Sequence, residues 1–443
     1  MEDAFLIRPR WVVPVEPAGR VLEGHAVAVS GGRIEALLAP GARHPAHFSS
    51  YPVWDLPDHV LIPGLVNAHT HAAMSLMRGL SDDLPLMRWL EDHIWPAERQ
   101  HVSAAMVRDG TLLACAEMLR GGITCFNEMY FFPEAALEAA TAAGMRAALG
   151  IIVIDFPTAY ASDPADYLRK GLVLRDLQRD QPLVSFCLAP HAPYTVSDGT
   201  FRQVVTLAAE LDLPVHLHLH ETEDEIARSV AEHGVRPVER MRRLGVLGPS
   251  LIAVHAVHLE RHEIELLASH SCSVAHCPSS NLKLASGFAP VEALRKAGVN
   301  VCLGTDGAAS NNRLDLLQEM RTAALLAKAV ARDAEALPEH AALRAATLAG
   351  ARALGLEDRI GSIEPGKAAD LTAVALRGPE LAPCYDPVSH LVYAAGRENV
   401  THVWVNGELR VRERELQGKA FSGLDTRWQI WQNSLKSHAD PDT

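Results

Sequence analysis

Two stretches of this 443-residue chain alternate imidazoles with other side chains: Asn67-Ala68-His69-Thr70-His71 and His216-Leu217-His218-Leu219-His220-Glu221. On a β-strand, residues two apart share a face, so His69 and His71 are expected together, as are His216, His218 and His220. A face of imidazoles is costly to bury unless something binds it, and His-x-His spacing suits two ligands of one metal ion. Two more polar residues close apolar, strand-like runs: His255 ends residues 251–255, and Asp306 follows residues 299–304 beside Gly307. Taken singly, His255 also reads as a satisfied core histidine and Asp306 as a turn or N-cap aspartate. The set acquires meaning only if one fold brings these strand ends together.

The intervening elements predict such a fold. Between about 60 and 360, strand-like and helix-like segments alternate, with strand candidates at 60–67, 122–127, 146–154, 183–188, 213–220, 251–255, 272–276 and 299–304. Helix punctuation fits: Ser103 as a cap with Gly121 closing, Pro133 in a first turn with Gly144 closing, and Ser197 opening another. Eight β/α units predict an α/β protein built on a closed (β/α)8, TIM-like barrel, with its chemistry at the strands' C-terminal ends. Glu221 sits at such an end. Thr222 to Glu225 reads as a capping box, so Glu221 lies by a helix N-terminus, which favours a charged carboxylate. Residues 1–59 and 361–443 carry short strands, including a hairpin pattern at 26–37, and are expected to pair into one small β-sandwich domain. The barrel of 60–360 is then an insertion between them. A C-terminal helix is expected near 425–436, with a frayed end at 437–443.

Forty-one basic against 54 acidic residues give a formal charge of −13, which opposes binding to nucleic acid or anionic membrane. The seven scattered cysteines include no C-x-x-C and read as reduced thiols. With no signal-peptide pattern and no apolar run of about 18 residues, a cytoplasmic protein is expected. One ion is expected rather than two. Lys170 is the only lysine between His71 and His218, it falls in a helical stretch, and the fourth strand (Phe186-Cys187-Leu188) offers no bridging group. Imidazoles with a carboxylate suit zinc, with Fe2+ as the other candidate. The nucleobase-deaminase signature H-x-E with P-C-x-x-C is missing, as is the G-x-S-x-G elbow of serine hydrolases.

Over about residues 61–320 the chain resembles the amidohydrolase superfamily, and within it the 5′-methylthioadenosine/S-adenosylhomocysteine deaminases. The likeness is carried by Pro63-Gly64-Leu65-Val66-Asn67-Ala68-His69-Thr70-His71, Met77-Arg78-Gly79-Leu80, His191-Ala192-Pro193-Tyr194, His218-Leu219-His220-Glu221-Thr222, Ser279-Ser280-Asn281-Leu282-Lys283-Leu284 and the run from Gly304 to Asn312. The resemblance implies that His69, His71, His218 and Asp306 are metal ligands, that Glu221 shuttles protons, and that His255 orients the attacking water. It also implies that Glu98 meets the ribose hydroxyls, that His191 contacts substrate, and that Arg146 reaches a neighbouring subunit's site in a homo-oligomer.

The reaction so implied is hydrolytic deamination of a small purine nucleoside. Hydroxide adds to C6 while Glu221 protonates N1, and ammonia leaves. Residues 160–166 lack an arginine to clamp the amino-acid carboxylate of S-adenosylhomocysteine, which favours 5′-methylthioadenosine or adenosine. Deamination of another aminated purine or a pterin, and dechlorination of an s-triazine, are the alternatives within the superfamily.

Overall fold

The computed structural model describes residues 4–439; the chain termini at 1–3 and 440–443 lie outside them, including part of the segment expected to fray. Eight parallel strands form the central sheet: β1 (Leu65–Thr70), β2 (Ile123–Glu128), β3 (Arg146–Val153), β4 (Val184–Pro190), β5 (Val215–Leu219), β6 (Leu251–His255), β7 (Ser273–His276) and β8 (Asn300–Leu303). Each pairs with the next in chain order. Their residues are almost all buried and mostly apolar, as parallel strands covered by helices must be.

β1 and β8 are not paired as a ladder, but the barrel is tied shut at its C-terminal rim. The amides of Thr305 and Asp306 both donate to the carbonyl of His69, at 3.1 and 3.0 Å. Gly304 permits that approach, because a Cβ there would lie 2.8 Å from the His69 Cβ and 3.0 Å from its amide. Closing the barrel therefore places Asp306 beside His69.

The two chain ends form one hydrogen-bonded mixed sheet of nine strands. Val53–Pro63 lies parallel to Ala4–Val12 and antiparallel to Leu371–Ala375, so the C-terminal part of the chain adds directly to the N-terminal part. The expected hairpin is present, Ala26–Ser30 against Arg33–Leu38. The strand expected at 60–67 proves to be two. Residues up to Pro63 belong to the terminal sheet, and the barrel starts at Leu65 after a crossing at Gly64, whose absent Cβ would collide with the Thr124 side chain. The anticipated caps form: Ser103, Ser197 and Thr222 accept from backbone amides three residues on, and Gly144 is left-handed.

The connection after β1 builds one wall of the site. It runs through a π-helical turn, Trp89–Ile94, into the helix Trp95–His101. The C-terminal helix, Leu424–Ala439, braces this wall: Trp431 donates to Asp109 at 3.0 Å, and Ser434 lies 3.1 Å from His101.

Candidate metal centre and active site

His69, His71, His218, His255 and Asp306 converge at the barrel mouth. Ligand atoms of His69, His218 and His255 lie within 4.8 Å of one another, as do those of His69, His71 and Asp306. Asp306 Oδ1 is 3.2 Å from Nε2 of both His69 and His71. Asp306 Oδ2 accepts from Ser280 and Ser310, each at 2.6 Å, and the Gly307 amide donates to Oδ1 at 2.8 Å.

Outer partners decide which ring nitrogen faces inward. His71 Nδ1 donates to the Met129 carbonyl at 2.6 Å and His218 Nδ1 to the His191 carbonyl at 2.7 Å. A carbonyl only accepts, so both Nδ1 atoms carry protons. A neutral His71 then aims an Nε2 lone pair at Asp306 Oδ1. Only a proton or a bound cation relieves that opposition. As a protein-only pair, they settle it with a proton: burial lowers the His71 pKa, but the Asp306 hydrogen bond and charge outweigh it and raise His71 to about 9. Burial pushes Asp306 up, while His69 and His71 together hold it well below the usual carboxylate range. His69 goes the other way, to about 4, because burial prevails. A divalent ion taking these lone pairs replaces the proton, so the donor set fits a metal.

The strand expected to carry three histidines on one face carries two. His216 and His218 share the face, His216 Nε2 standing 2.8 Å from His69 Nδ1. His220 lies beyond the end of β5 with a positive φ of 57°, which breaks the alternation. Its ring turns away, with Nδ1 bonded to the His258 carbonyl and Nε2 accepting the Val238 amide.

Glu221 is 5% exposed, and its Oε1 is 3.8 Å from His255 Nε2. Burial raises its pKa, with His255 pulling the other way. The helix N-terminus does not set its charge, contrary to the sequence expectation. Glu225 instead braces the turn before that helix, its carboxyl group accepting the amides of His220 and Glu221 at 2.9 and 2.8 Å. His255 donates Nδ1–H to Asn281 Oδ1 at 2.8 Å, which leaves Nε2 facing Glu221.

A cavity of about 360 Å³ opens on these groups and touches His71, His218, Glu221, His255 and Asp306. His191 and Glu98, both expected to meet substrate, also line it. His191 Nδ1 pairs with the Thr195 hydroxyl at 3.0 Å, and burial lowers its pKa to about 3, so the ring is neutral. Glu98 accepts the Tyr130 hydroxyl at 2.6 Å, and burial raises it to about 7. Sequence reasoning missed much of the rest of the wall, including Trp89, Trp95, Tyr130, Phe131, Phe156 and Arg99. Arg99 contributes the cavity's one guanidinium or ammonium group among the described residues.

Arg146, expected to reach a neighbouring subunit's site, is instead buried within its own chain. It opens β3, at the barrel end opposite His69, His71, His218 and Asp306, and is 2% exposed. Its Nε and Nη2 donate to Asp370 at 2.9 and 3.1 Å, and Nη1 donates to the Pro182 carbonyl. With every donor edge occupied inside the chain, it ties the barrel floor to the terminal sheet. All seven cysteines are unpaired, six of them buried. Among the described residues, no helix is long and apolar enough to cross a membrane.

A β/α barrel with this centre defines a metal-dependent hydrolase acting on C–N bonds, and the chain belongs to the amidohydrolase family, whose model matches residues 60–410. It is 48% identical over 433 residues to a 5-methylthioadenosine/S-adenosylhomocysteine deaminase of Saccharophagus degradans, covering 98% of this chain and 97% of that protein. It is 44% identical over 366 residues to a 5'-deoxyadenosine deaminase of Methanothermobacter thermautotrophicus, covering 81% and 83%. A crystal structure of an adenosine deaminase from Xanthomonas campestris with bound zinc superposes with a TM-score of 0.94 at 51% identity, covering 98% of both chains.

Proposed function

We propose that the protein deaminates 5′-methylthioadenosine, and adenosine to a lesser extent, to the inosine analogue and ammonia. The observation that carries this reading is the placement of Glu221, a buried acid with a raised pKa, in the same cavity as His71, His218, His255 and Asp306. Such an acid takes up a proton more readily than an exposed carboxylate and can hand it to a ring nitrogen.

His69, His71, His218 and Asp306 would hold one divalent ion, proposed to be zinc with iron as the other candidate. When bound, such an ion supplies a nucleophilic water at neutral pH. The remaining steps belong to the chain. His255 and Asp306 orient that water and take its proton. Glu221 protonates purine N1 as the oxygen adds to C6, so charge does not build up on the ring. A proton then passes to the exocyclic amine, which leaves as ammonia while the C6 carbonyl forms. His191 and Glu98 fix the nucleoside, Glu98 through its ribose hydroxyls. Trp89, Phe131 and Phe156 give the cavity an apolar wall suited to an uncharged 5′-substituent. Among the described residues, the one guanidinium or ammonium group that the amino-acid carboxylate of S-adenosylhomocysteine would find is Arg99, which is exposed.

Ammonia release from 5′-methylthioadenosine, adenosine and S-adenosylhomocysteine, measured side by side with metal-replete protein, tests this. The expected order of kcat/KM is as written. No release from any of the three would remove the proposal.

A further inference from the structure

Glu98 enters the cavity from the helix Trp95–His101 and has no ion-pair partner among the described residues. One of its oxygens is committed: Oε1 accepts the hydroxyl of Tyr130 at 2.6 Å. Tyr130 is buried just beyond the end of β2, with its ring centroid 6.5 Å from that of His71 and 5.3 Å from that of Phe131. It therefore belongs to the rigid barrel rim, whereas Glu98 stands on a helix supplied by the long connection after β1. The hydroxyl links the two and sets where the carboxylate points.

A carboxylate only accepts hydrogen bonds, and with Oε1 held it offers the lone pairs of Oε2 to whatever occupies the cavity. A vicinal diol brings two donors at the right separation for one carboxylate. Resting on the nucleoside reading above, we propose that Tyr130 is the positioning residue for diol recognition, holding Glu98 so that it meets both ribose hydroxyls. Without the phenol, Glu98 keeps its chemistry but must be ordered by the substrate itself. The loss then falls on binding and not on the chemical step.

The test compares wild type with Tyr130→Phe, Glu98→Gln and the double variant, using 5′-methylthioadenosine and its 2′,3′-dideoxy analogue. Ammonia release gives kcat and KM, and melting curves establish that each variant is folded. Tyr130→Phe leaves Glu98 to be ordered by the substrate, so KM for the diol substrate should rise about fivefold, with kcat within about twofold of wild type. KM for the dideoxy analogue should be the same in all four proteins. Adding Tyr130→Phe to Glu98→Gln should bring little further change, because the two act as one unit. An unchanged KM for the diol substrate in Tyr130→Phe, or an equal rise for both substrates, overturns the proposal. If wild-type protein deaminates neither nucleoside, the nucleoside reading itself fails and this inference falls with it.

Discussion

Glu225 accepts the backbone amide of Glu221 at 2.8 Å, so the turn behind the site is served by one glutamate and the cavity by the other. The two carboxylates are four residues apart but do different work. Glu225 satisfies orphan amides of the strand-to-helix turn, which frees the Glu221 side chain to face the purine-sized cavity beside His255.

Replacing Glu221 with Gln preserves shape and removes the exchangeable proton. Metal content should stay at the wild-type level, and kcat should fall by about 10²–10⁴, the usual range for general acid–base catalysis. Steady-state ammonia release with metal analysis checks this. Unimpaired turnover would take Glu221 out of the mechanism.

Among the described residues, Arg99 is the cavity's one guanidinium or ammonium group to pair with a substrate carboxylate. Arg99→Ala should leave kcat/KM for 5′-methylthioadenosine within about twofold while lowering it further for S-adenosylhomocysteine. An exposed pair contributes up to about 1 kcal/mol, so the expected loss is about fivefold. Equal effects on both substrates would show that Arg99 does not meet the carboxylate.

Burial raises the Glu98 pKa to about 7, against the opposing pull of Tyr130. Below that pH the group gains a proton and loses its strongest acceptor character; above it the carboxylate is fully formed. KM for a ribonucleoside should therefore climb as pH falls from about 8 to 6 and level off on the alkaline side. In Glu98→Gln that slope should vanish. A KM that rises toward alkaline pH would contradict the assignment.

Arg146 and Asp370 are a buried bidentate pair joining the barrel floor to the terminal sheet. Removing one partner strands the other charge, at a cost of about 3–5 kcal/mol. Arg146→Met should lower the denaturation midpoint markedly. At a temperature where the variant remains folded, KM should be unchanged. A selective rise in KM without loss of stability would return Arg146 to the substrate site.

The barrel was legible because eight apolar runs with intervening helical punctuation have few other solutions, and seven of the eight predicted strands lie within a few residues of those observed. The first escaped because residues 60–66 form one apolar run, while the chain changes sheets inside it at Gly64. His220 was misplaced because alternation assumes an unbroken strand, and its left-handed backbone is a tertiary decision. Arg146 could have been read correctly from position alone: a residue that opens a barrel strand lies at the end away from the chemistry. The aromatic wall and Tyr130 carried no motif. They converge only after the connection following β1 folds back over the mouth.

The account rests on one ion held jointly by β1, β5 and the turn after β8. Metal analysis of purified protein, beside His218→Ala and Asp306→Ala, tests it most directly. The prediction is one equivalent of a divalent transition metal per chain in the wild type and well under half an equivalent in either folded variant. Two equivalents in the wild type, or full retention in both variants, would contradict it.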